Sequence, residues 1–397
     1  MPGDMILTLN CGSSSIKFAL FATGGGTLAR KPSWAGSIRG IGGPAPEFGT
    51  ADGAREPVTL DRAHPTTAAL ELILARLADH PQGRRLGAVG HRVVHGGGRY
   101  FAPVPVTQDL IDELRALIPL APLHQPFPLK AMALLMQRHP GVPQIACFDT
   151  GFHRSLPPVE QLLPLPWSAW QQGIRRYGFH GLSYEYMARA LPERHGPLAG
   201  GRVIVAHLGS GASLCAMHEG RSIATTMGFS ALDGLMMGTR TGALDPGALL
   251  YLMEVERLAP DAIGQMLYRQ SGLLGLSGIS DEPRVLIRHE AENSERGMRA
   301  RLALELYVRR IVAEIGALVT ALEGLDLLVF TAGVGENCGF IRQRVCARLA
   351  FLGLELDNAA NSAGAPIISS PQSRIRAAVE PTDEEWMIAC HARAIAP

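Results

Sequence analysis

The sequence predicts an α/β protein of two related halves, with a polyphosphate in the cleft between them. The first observation behind this is Val203 to Met217, VIVAHLGSGASLCAM, an apolar run that breaks at Gly209, Ser210 and Gly211 and resumes at Leu214. The second is Ile6 to Leu20, ILTLNCGSSSIKFAL, which follows the same plan. Short apolar runs bounded by small turn residues read as hairpins. Superposed, the two place Asn10 on His207, Gly12 on Gly209 and Ser13 on Ser210. The third is Leu327 to Asn337, LLVFTAGVGEN, another strand that ends in glycine. Glycine lets a backbone approach a ligand closely, and successive free N–H groups make a nest for phosphate oxygens. One such turn alone reads as an ordinary hairpin. Its repetition in both halves is what points to a ligand.

The remaining elements follow in order. Thr23 to Asp61, rich in Gly and Pro, supplies further strands and loops of the first half. Pro65 to Leu77 has helical spacing, with Thr66 and Thr67 as candidate caps. Leu86 to His95 is a strand that ends in Gly96-Gly97-Gly98. Thr107 caps a helix to Leu117, whose apolar face is Leu110, Ile111, Leu114 and Leu117. Leu129 to Gln137 is a short helix, and Pro143 to Phe148 a strand aimed at Asp149. A boundary falls near Thr150, before a proline-punctuated stretch. Ser183 opens a helix over Tyr184 to Leu191. After the central hairpin come helices over Gly247 to Glu256 and Asp261 to Tyr268, then a glycine-rich loop, Gly272 to Gly278. Arg296 to Leu322 is the longest helix, with Leu302, Leu306, Ile311, Ile315 and Leu318 on its apolar side. Leu327 to Thr331 is a buried strand followed by a helix through Leu349. A last helix, Glu384 to Ala394, packs back on the first half.

Bulk properties exclude several classes. The 397 residues are 47% hydrophobic and 18% charged, which suits two globular domains with sizeable cores. A net charge of +1 argues against charge-driven binding to nucleic acid or membrane surfaces. No apolar run reaches the roughly 20 residues of a membrane span, and no signal peptide is visible. Six scattered cysteines, none in a C-x-x-C pair, suit reduced thiols in a cytoplasmic protein. Cys11 reads as a small filler of its turn. The motifs of P-loop enzymes, serine hydrolases and zinc proteases are absent.

What remains are polar residues at the ends of apolar runs, where ligand sites of such folds collect. Arg92 stands in HRVVHGGG, Asp149 in CFDTGFH, His180 in RRYGFHG and Arg240 in MGTRTG. Taken singly, Arg92 fits a cover for a sheet edge, Asp149 a turn cap and His180 a core histidine. Arg240, between glycines, is hard to explain without a ligand. Lys17 fits a solvated face or a phosphate partner, and Glu384 beside Glu385 suits a helix N-terminus.

Together NCGSSSIKF, HRVVHGG, APLH, FDTGFH, RYGFHG, HLGSGAS, MGTRTG, TAGVGEN and PTDEE occur in the order seen in acetate kinases. From Ile6 to about Ala392 the chain resembles that family, which belongs to the actin-like superfamily with sugar kinases and heat-shock ATPases. The resemblance implies two duplicated actin-like (ribonuclease H-like) domains with a nucleotide cleft between them. The first would be residues 1–150, completed by the C-terminal helix 385–397. The second, residues 151–384, would bind nucleotide and carry the contact of a homodimer. It implies reversible transfer of the ATP γ-phosphoryl group to acetate or another short carboxylate such as propionate.

Carried over by motif, Asn10 and Glu384 would position Mg²⁺ or Mn²⁺. Lys17, the turn His207, Leu208, Gly209, Ser210 and Gly211, the segment Glu282, Pro283 and Arg284, and the turn Gly333, Val334, Gly335, Glu336 and Asn337 would bind ATP or ADP. Arg92 would hold the carboxylate, with Val94, Leu123 and Phe179 lining the acyl pocket. Asp149, His180 and Arg240 would be catalytic. The sequence departs from the pattern at Ser210 and Gln125 (usually Asn), at Ala231 (usually Pro), at Ala243 (usually acidic), and at Glu282-Pro283. The physics is coherent. A carboxylate, with a pKa near ~4, is already an anion at neutral pH, so cations that let it meet a polyphosphate matter more than a base. Asp149 is therefore expected to orient rather than to move a proton. A sugar kinase or phosphohydrolase on the same fold, and a non-catalytic nucleotide sensor, are the rival readings.

Overall fold

The computed structural model describes residues 4–24, 28–51, 53–122 and 124–396. The chain divides into two compact units, Met1–Phe152 with Asp383–Pro397, and His153–Thr382.

In the first unit the described strands are β1 (Met5–Cys11), β2 (Ser15–Ala22), β3 (Trp34–Arg39), β4 (Glu47–Thr50), β5 (Arg55–Pro57), β6 (Leu86–Val93), β7 (Val104–Pro105) and β8 (Gln144–Phe148). They form one sheet, in the order β5-β4-β3-β2-β1-β6-β8-β7. The N-terminal hairpin forms as read, with β1 and β2 paired antiparallel from Met5↔Ala22 to Cys11↔Ile16. Alternation along β1 sends Leu7 and Leu9 into a core with Phe18, Leu20, Ile73 and Leu77. The last two belong to the helix Pro65–Asp79, which starts on Pro65 and not on a threonine cap: His64 precedes it and makes no side-chain cap bond. Thr107 does cap its helix, accepting from Leu110 N at 3.1 Å. The last helix, Glu384–Ile395, packs on β1, β6 and β8. Gly90 makes room for it, because a Cβ there would lie 2.5 Å from Ile388 Cγ2.

In the second unit the described strands are β9 (Val203–Leu208), β10 (Ala212–His218), β11 (Arg221–Thr225), β12 (Leu327–Thr331) and β13 (Arg376–Val379), in the order β11-β10-β9-β12-β13. The central hairpin also forms as read, from Ala212↔Leu208 to Met217↔Val203. β12 runs parallel to β9, with Thr331 opposite His207. The long helix Glu295–Leu322 is capped by Ser294 and packs on β10 and β11, with Tyr307, Ile311, Ile315 and Leu318 among its buried residues. Leu302 and Leu306, expected on the buried side, are 56% and 38% exposed. The stretch expected as a glycine loop is a short helix, Gly272–Ser277. Its amides at Leu273 and Leu274 are taken up by the Met237 and Gly238 carbonyls at 3.0 and 2.9 Å.

The order β3-β2-β1-β6-β8 repeats in β11-β10-β9-β12-β13. In each, three antiparallel strands are followed by two parallel ones. This is the duplicated actin-like α/β plan. The longest helix between β8 and β9, Gly181–His195, belongs to the second unit, and the last helix of the chain returns to the first.

Gly90→Ala is expected to destabilise the chain by about 1–3 kcal/mol through overpacking against Ile388. A urea unfolding midpoint equal to wild type would contradict that reading of the last helix.

Candidate functional site

In the first unit four of the expected residues meet around one guanidinium. Parallel pairing sets Arg92 opposite Cys147 and Val93 opposite Phe148, so Asp149 emerges at the same sheet edge as Arg92. Asp149, 1% exposed, accepts with Oδ2 from Arg92 Nε at 2.9 Å and from Nη2 at 2.5 Å. Arg92 Nη1 donates to Asn10 Oδ1 at 3.2 Å and lies 3.6 Å from Glu384 Oε2. Burial opposes the Arg92 charge, but Asp149 and Glu384 outweigh it and hold its pKa above the ordinary value. Lys17 is exposed, opposite Asn10 in the β1–β2 register. Its charge acts against burial of the Glu385 carboxyl, whose pKa desolvation nonetheless raises.

This donor set suits a hard cation. The Asn10 amide oxygen and the Glu384 carboxylate flank one guanidinium nitrogen, with the Asp149 carboxylate on the other two, and Mg²⁺ is usually held by one or two carboxylates with the rest of its shell from water and phosphate. Among the described residues no three His, Cys, Asp or Glu side chains form a metal-binding group.

Gln125, where the acetate kinase pattern has Asn, is fully buried. Its Oε1 accepts from His95 N at 3.1 Å and its Nε2 donates to His95 O at 3.0 Å, which pins the segment after Arg92. Val94 is 9% exposed. Leu123 lies outside the described residues. Burial pushes the Cys11 thiol up to about 12, as suits a filler.

In the second unit two imidazoles stack beside the central hairpin turn, His207 from β9 and His180 from the start of the helix Gly181–His195. The His180 and His207 rings lie 4.2 Å apart at 16°. His180 precedes the helix Gly181–His195 in a left-handed conformation, φ 59°, so it and not Ser183 sets the helix start. A Cβ on Gly211 would lie 3.3 Å from His180 Nε2 and 3.6 Å from Arg240 Nη1. Gly211 thus lets an imidazole and a guanidinium approach the turn backbone together. Arg240 Nη1 also donates to Ala231 O at 3.2 Å. Its loop is closed by Met237 N to Arg240 O at 3.1 Å and by Ala243 N to Gly234 O at 2.9 Å. Phe179, 2% exposed, leads into His180. Leu208 is buried in β9 and Ser210 is exposed at the turn.

The pairing of β12 with β9 sets the third glycine turn beside this one: a Cβ on Gly209 would lie 3.7 Å from Ala332 Cβ. Gly333 faces open space, and Val334 is half-buried. Arg284 donates to the Asn337 carbonyl, which joins the Glu282–Arg284 segment to this turn. Glu282 is exposed and Pro283 is buried. Glu336 has its Oε1 turned inward, accepting from Ala332 N at 2.8 Å and Thr382 N at 3.2 Å. Its carboxylate braces the turn.

Sequence reasoning missed Arg342, which is 2% exposed. Its Nη1 donates to the Gly335 and Glu336 carbonyls at 2.8 and 2.9 Å, and its Nε to Asn361 Oδ1 at 2.8 Å. A cation on the same helical face as Val345 and Cys346 was the available signal. Also missed were Ser183, Ser213 and Tyr184, which lie behind the two histidines. Their types carry no distinguishing pattern.

A sequence model described as the Acetokinase family matches residues 5–390. The chain is 50% identical over 394 residues to an acetate kinase of Rhodopseudomonas palustris, covering 98% of this chain and 97% of that one. It is 46% identical over 399 residues to an acetate kinase of Methylocella silvestris, covering 98% and 97%. Among solved structures it resembles Porphyromonas gingivalis acetate kinase with TM-score 0.86 and 36% identity, covering 99% of this chain and 100% of that one. It also resembles a propionate kinase from Francisella tularensis with TM-score 0.89 and 33% identity, at the same coverage.

Arg342→Met is expected to leave the Gly335 and Glu336 carbonyls unpaired and to cost about 2–4 kcal/mol. Urea denaturation checks this, and an unchanged midpoint would show that the guanidinium does not brace the turn.

Proposed function

The chain belongs to the acetokinase family, and from that premise we propose that it transfers the γ-phosphoryl group of ATP to acetate. The products are acetyl phosphate and ADP, and the transfer is direct, in line and reversible. The observation that carries this reading is the convergence of His180 Nε2 and Arg240 Nη1 on Gly211 of the central glycine turn. A cation and an imidazole there meet the need of phosphoryl transfer, which is positioning and charge stabilisation.

Each residue then has a role set by its surroundings. Arg92 binds the substrate carboxylate, and Asp149 aims it, since the carboxylate takes both Nε and Nη2. Asp149 therefore acts by orientation. His180 and Arg240 stabilise charge on the phosphoryl group in flight. The glycine turns 209–211 and 333–337, with His207, Lys17 and the segment Glu282–Arg284, hold the nucleotide. Asn10 and Glu384 hold Mg²⁺ or Mn²⁺, which when bound neutralises phosphate charge. For the acyl group the candidate apolar contacts are Val94 of the first unit and Phe179 of the second, each buried. Ala231 stands where the family commonly has Pro, and this favours propionate as a second competent substrate. One methylene is worth only about 1–3 kcal/mol in such a pocket.

A homodimer is supported by apolar side chains left in water. The helix Pro246–Glu254 buries none of its residues and exposes Leu250 at 56% and Tyr251 at 54%. Along the helix Glu295–Leu322, Met298, Leu302 and Leu306 form an exposed stripe at 46%, 56% and 38%. Six free cysteines support a reducing, cytoplasmic setting, and among the described residues no helix is long and apolar enough to cross a membrane.

Hydroxylamine trapping with ATP and acetate, propionate or butyrate tests the activity, because only an acyl phosphate yields a hydroxamate. Hydroxamate is expected with acetate and propionate, and its absence with every acid would end the proposal. Arg240→Ala is expected to keep nucleotide affinity and lose roughly 10³-fold in kcat; normal turnover would refute its role. The double change Leu302→Asp with Leu306→Asp is expected to yield a folded monomer by light scattering. A dimer of unchanged mass would remove that stripe from the interface.

A further inference from the structure

Both stacked histidines are gripped from behind by hydroxyl groups. His180 Nδ1 lies 2.8 Å from Ser213 Oγ, which lies 2.6 Å from the Tyr184 hydroxyl. His207 Nδ1 lies 2.9 Å from Ser183 Oγ, which lies 2.8 Å from Thr382 Oγ1. Ser213 and Tyr184 are fully buried. On the far side of each ring the Nε2 atoms face the turn, 3.3 Å from a Cβ on Gly211 for His180 and 3.7 Å from a Cβ on Gly209 for His207.

A neutral imidazole carries one proton, and the partner of one nitrogen decides which nitrogen bears it. A phenol is a stronger hydrogen-bond donor than an alcohol, and imidazole nitrogen is a stronger acceptor than either hydroxyl. The chain of bonds is therefore most favourable when Tyr184 donates to Ser213 and Ser213 donates to His180 Nδ1. That direction leaves the proton on Nε2. The reverse direction would make the alcohol donate to the phenol and turn a bare Nε2 lone pair toward a site built for phosphate oxygens. Burial also raises the Tyr184 pKa well above its ordinary value, so the phenol keeps its proton.

We propose that Ser213, backed by Tyr184, is a positioning residue that sets the tautomer of His180 and so points Nε2–H, beside Arg240, at the group bound over Gly211. Neither residue touches substrate in this arrangement. Their effect passes through the imidazole, and the proposal rests on the phosphotransfer reading above. The same grip on His207 by Ser183 and Thr382 keeps the second ring parallel, so the stack cannot rotate away from the turn. A backbone effect adds to it. His153 holds the Phe179 carbonyl with Nε2 at 2.9 Å and meets Ser222 Oγ with Nδ1 at 2.8 Å. This fixes the peptide that leads into the left-handed His180.

The test uses the full chain with ¹⁵N-labelled histidine, His180 being assigned by comparison with His180→Gln. In wild type the His180 signals are expected to show a protonated Nε2 and an acceptor Nδ1. Ser213→Ala is expected to move the proton toward Nδ1 or mix the tautomers. It should lower kcat about 10²-fold, the scale of losing one oriented donor, while KM for ATP and acetate moves less than about threefold. Tyr184→Phe, which removes only the outer donor, is expected to give a smaller loss in kcat with the same KM pattern. A wild-type proton on Nδ1 would overturn the assignment, as would wild-type kcat in Ser213→Ala or losses confined to KM. Should Ser213→Ala fail to fold, the wild-type spectrum and Tyr184→Phe decide. Absence of hydroxamate from wild type would sink the phosphotransfer reading alone, because the tautomer is read without turnover.

Discussion

Parallel pairing of strands is the constraint from which the chemistry of both units follows. In a parallel ladder the strands end at one edge, and the loops leaving them share that edge. In the first unit this brings Asn10, Arg92 and Asp149 from β1, β6 and β8 to one place. In the second it sets Thr331 opposite His207, so the glycine turn after β9 and the one after β12 lie side by side. A one-residue slip in either ladder would turn these side chains to the opposite face. Apolar burial enforces the register, since β8, β9 and β12 are buried at every position.

Placing charge at such an edge is costly unless each charge is paired, and the two arginines solve this differently. Arg92 is compensated by carboxylates, with Asp149 on two nitrogens and Glu384 near the third. Arg342 is compensated by neutral acceptors, two carbonyl oxygens of the turn it supports and both oxygens of Asn361. The first arrangement leaves a guanidinium whose orientation is fixed while its outer nitrogen meets only weaker contacts, as suits binding an anion. The second turns all three of its nitrogens to internal acceptors, as suits a brace. Glu336 belongs with the braces: its carboxylate satisfies amides at the start of the turn and at Thr382.

Glycine and hydroxyl residues complete the second unit's edge in complementary ways. Gly209 and Gly211 remove side chains where His207, His180 and Arg240 must come close to backbone. Serines 183 and 213 hold the imidazoles from the other side. Rings fixed between a bare turn and a buried hydroxyl have little freedom left, which is the preorganisation that charge stabilisation requires.

The two hairpins, the buried strand Leu327–Thr331 and the capped helix after Thr107 were legible because periodicity and turn chemistry are local. The nine ordered motifs likewise carried the family and its fold. Errors arose where tertiary contacts overrode local pattern. Leu302 and Leu306 fit the helical stripe but stay exposed. Gly272 to Ser277 looked like loop and is helix because the loop of Arg240 accepts its amides. By itself the sequence determined which strands break into glycine and which charged residues follow them, since both are properties of a few adjacent residues. Only the tertiary structure decided what each polar group faces: that Asp149 aims Arg92, that Glu336 turns inward, and that buried hydroxyls stand behind the histidines. Most of those partners are tens of residues apart in the chain, and only tertiary packing makes them neighbours.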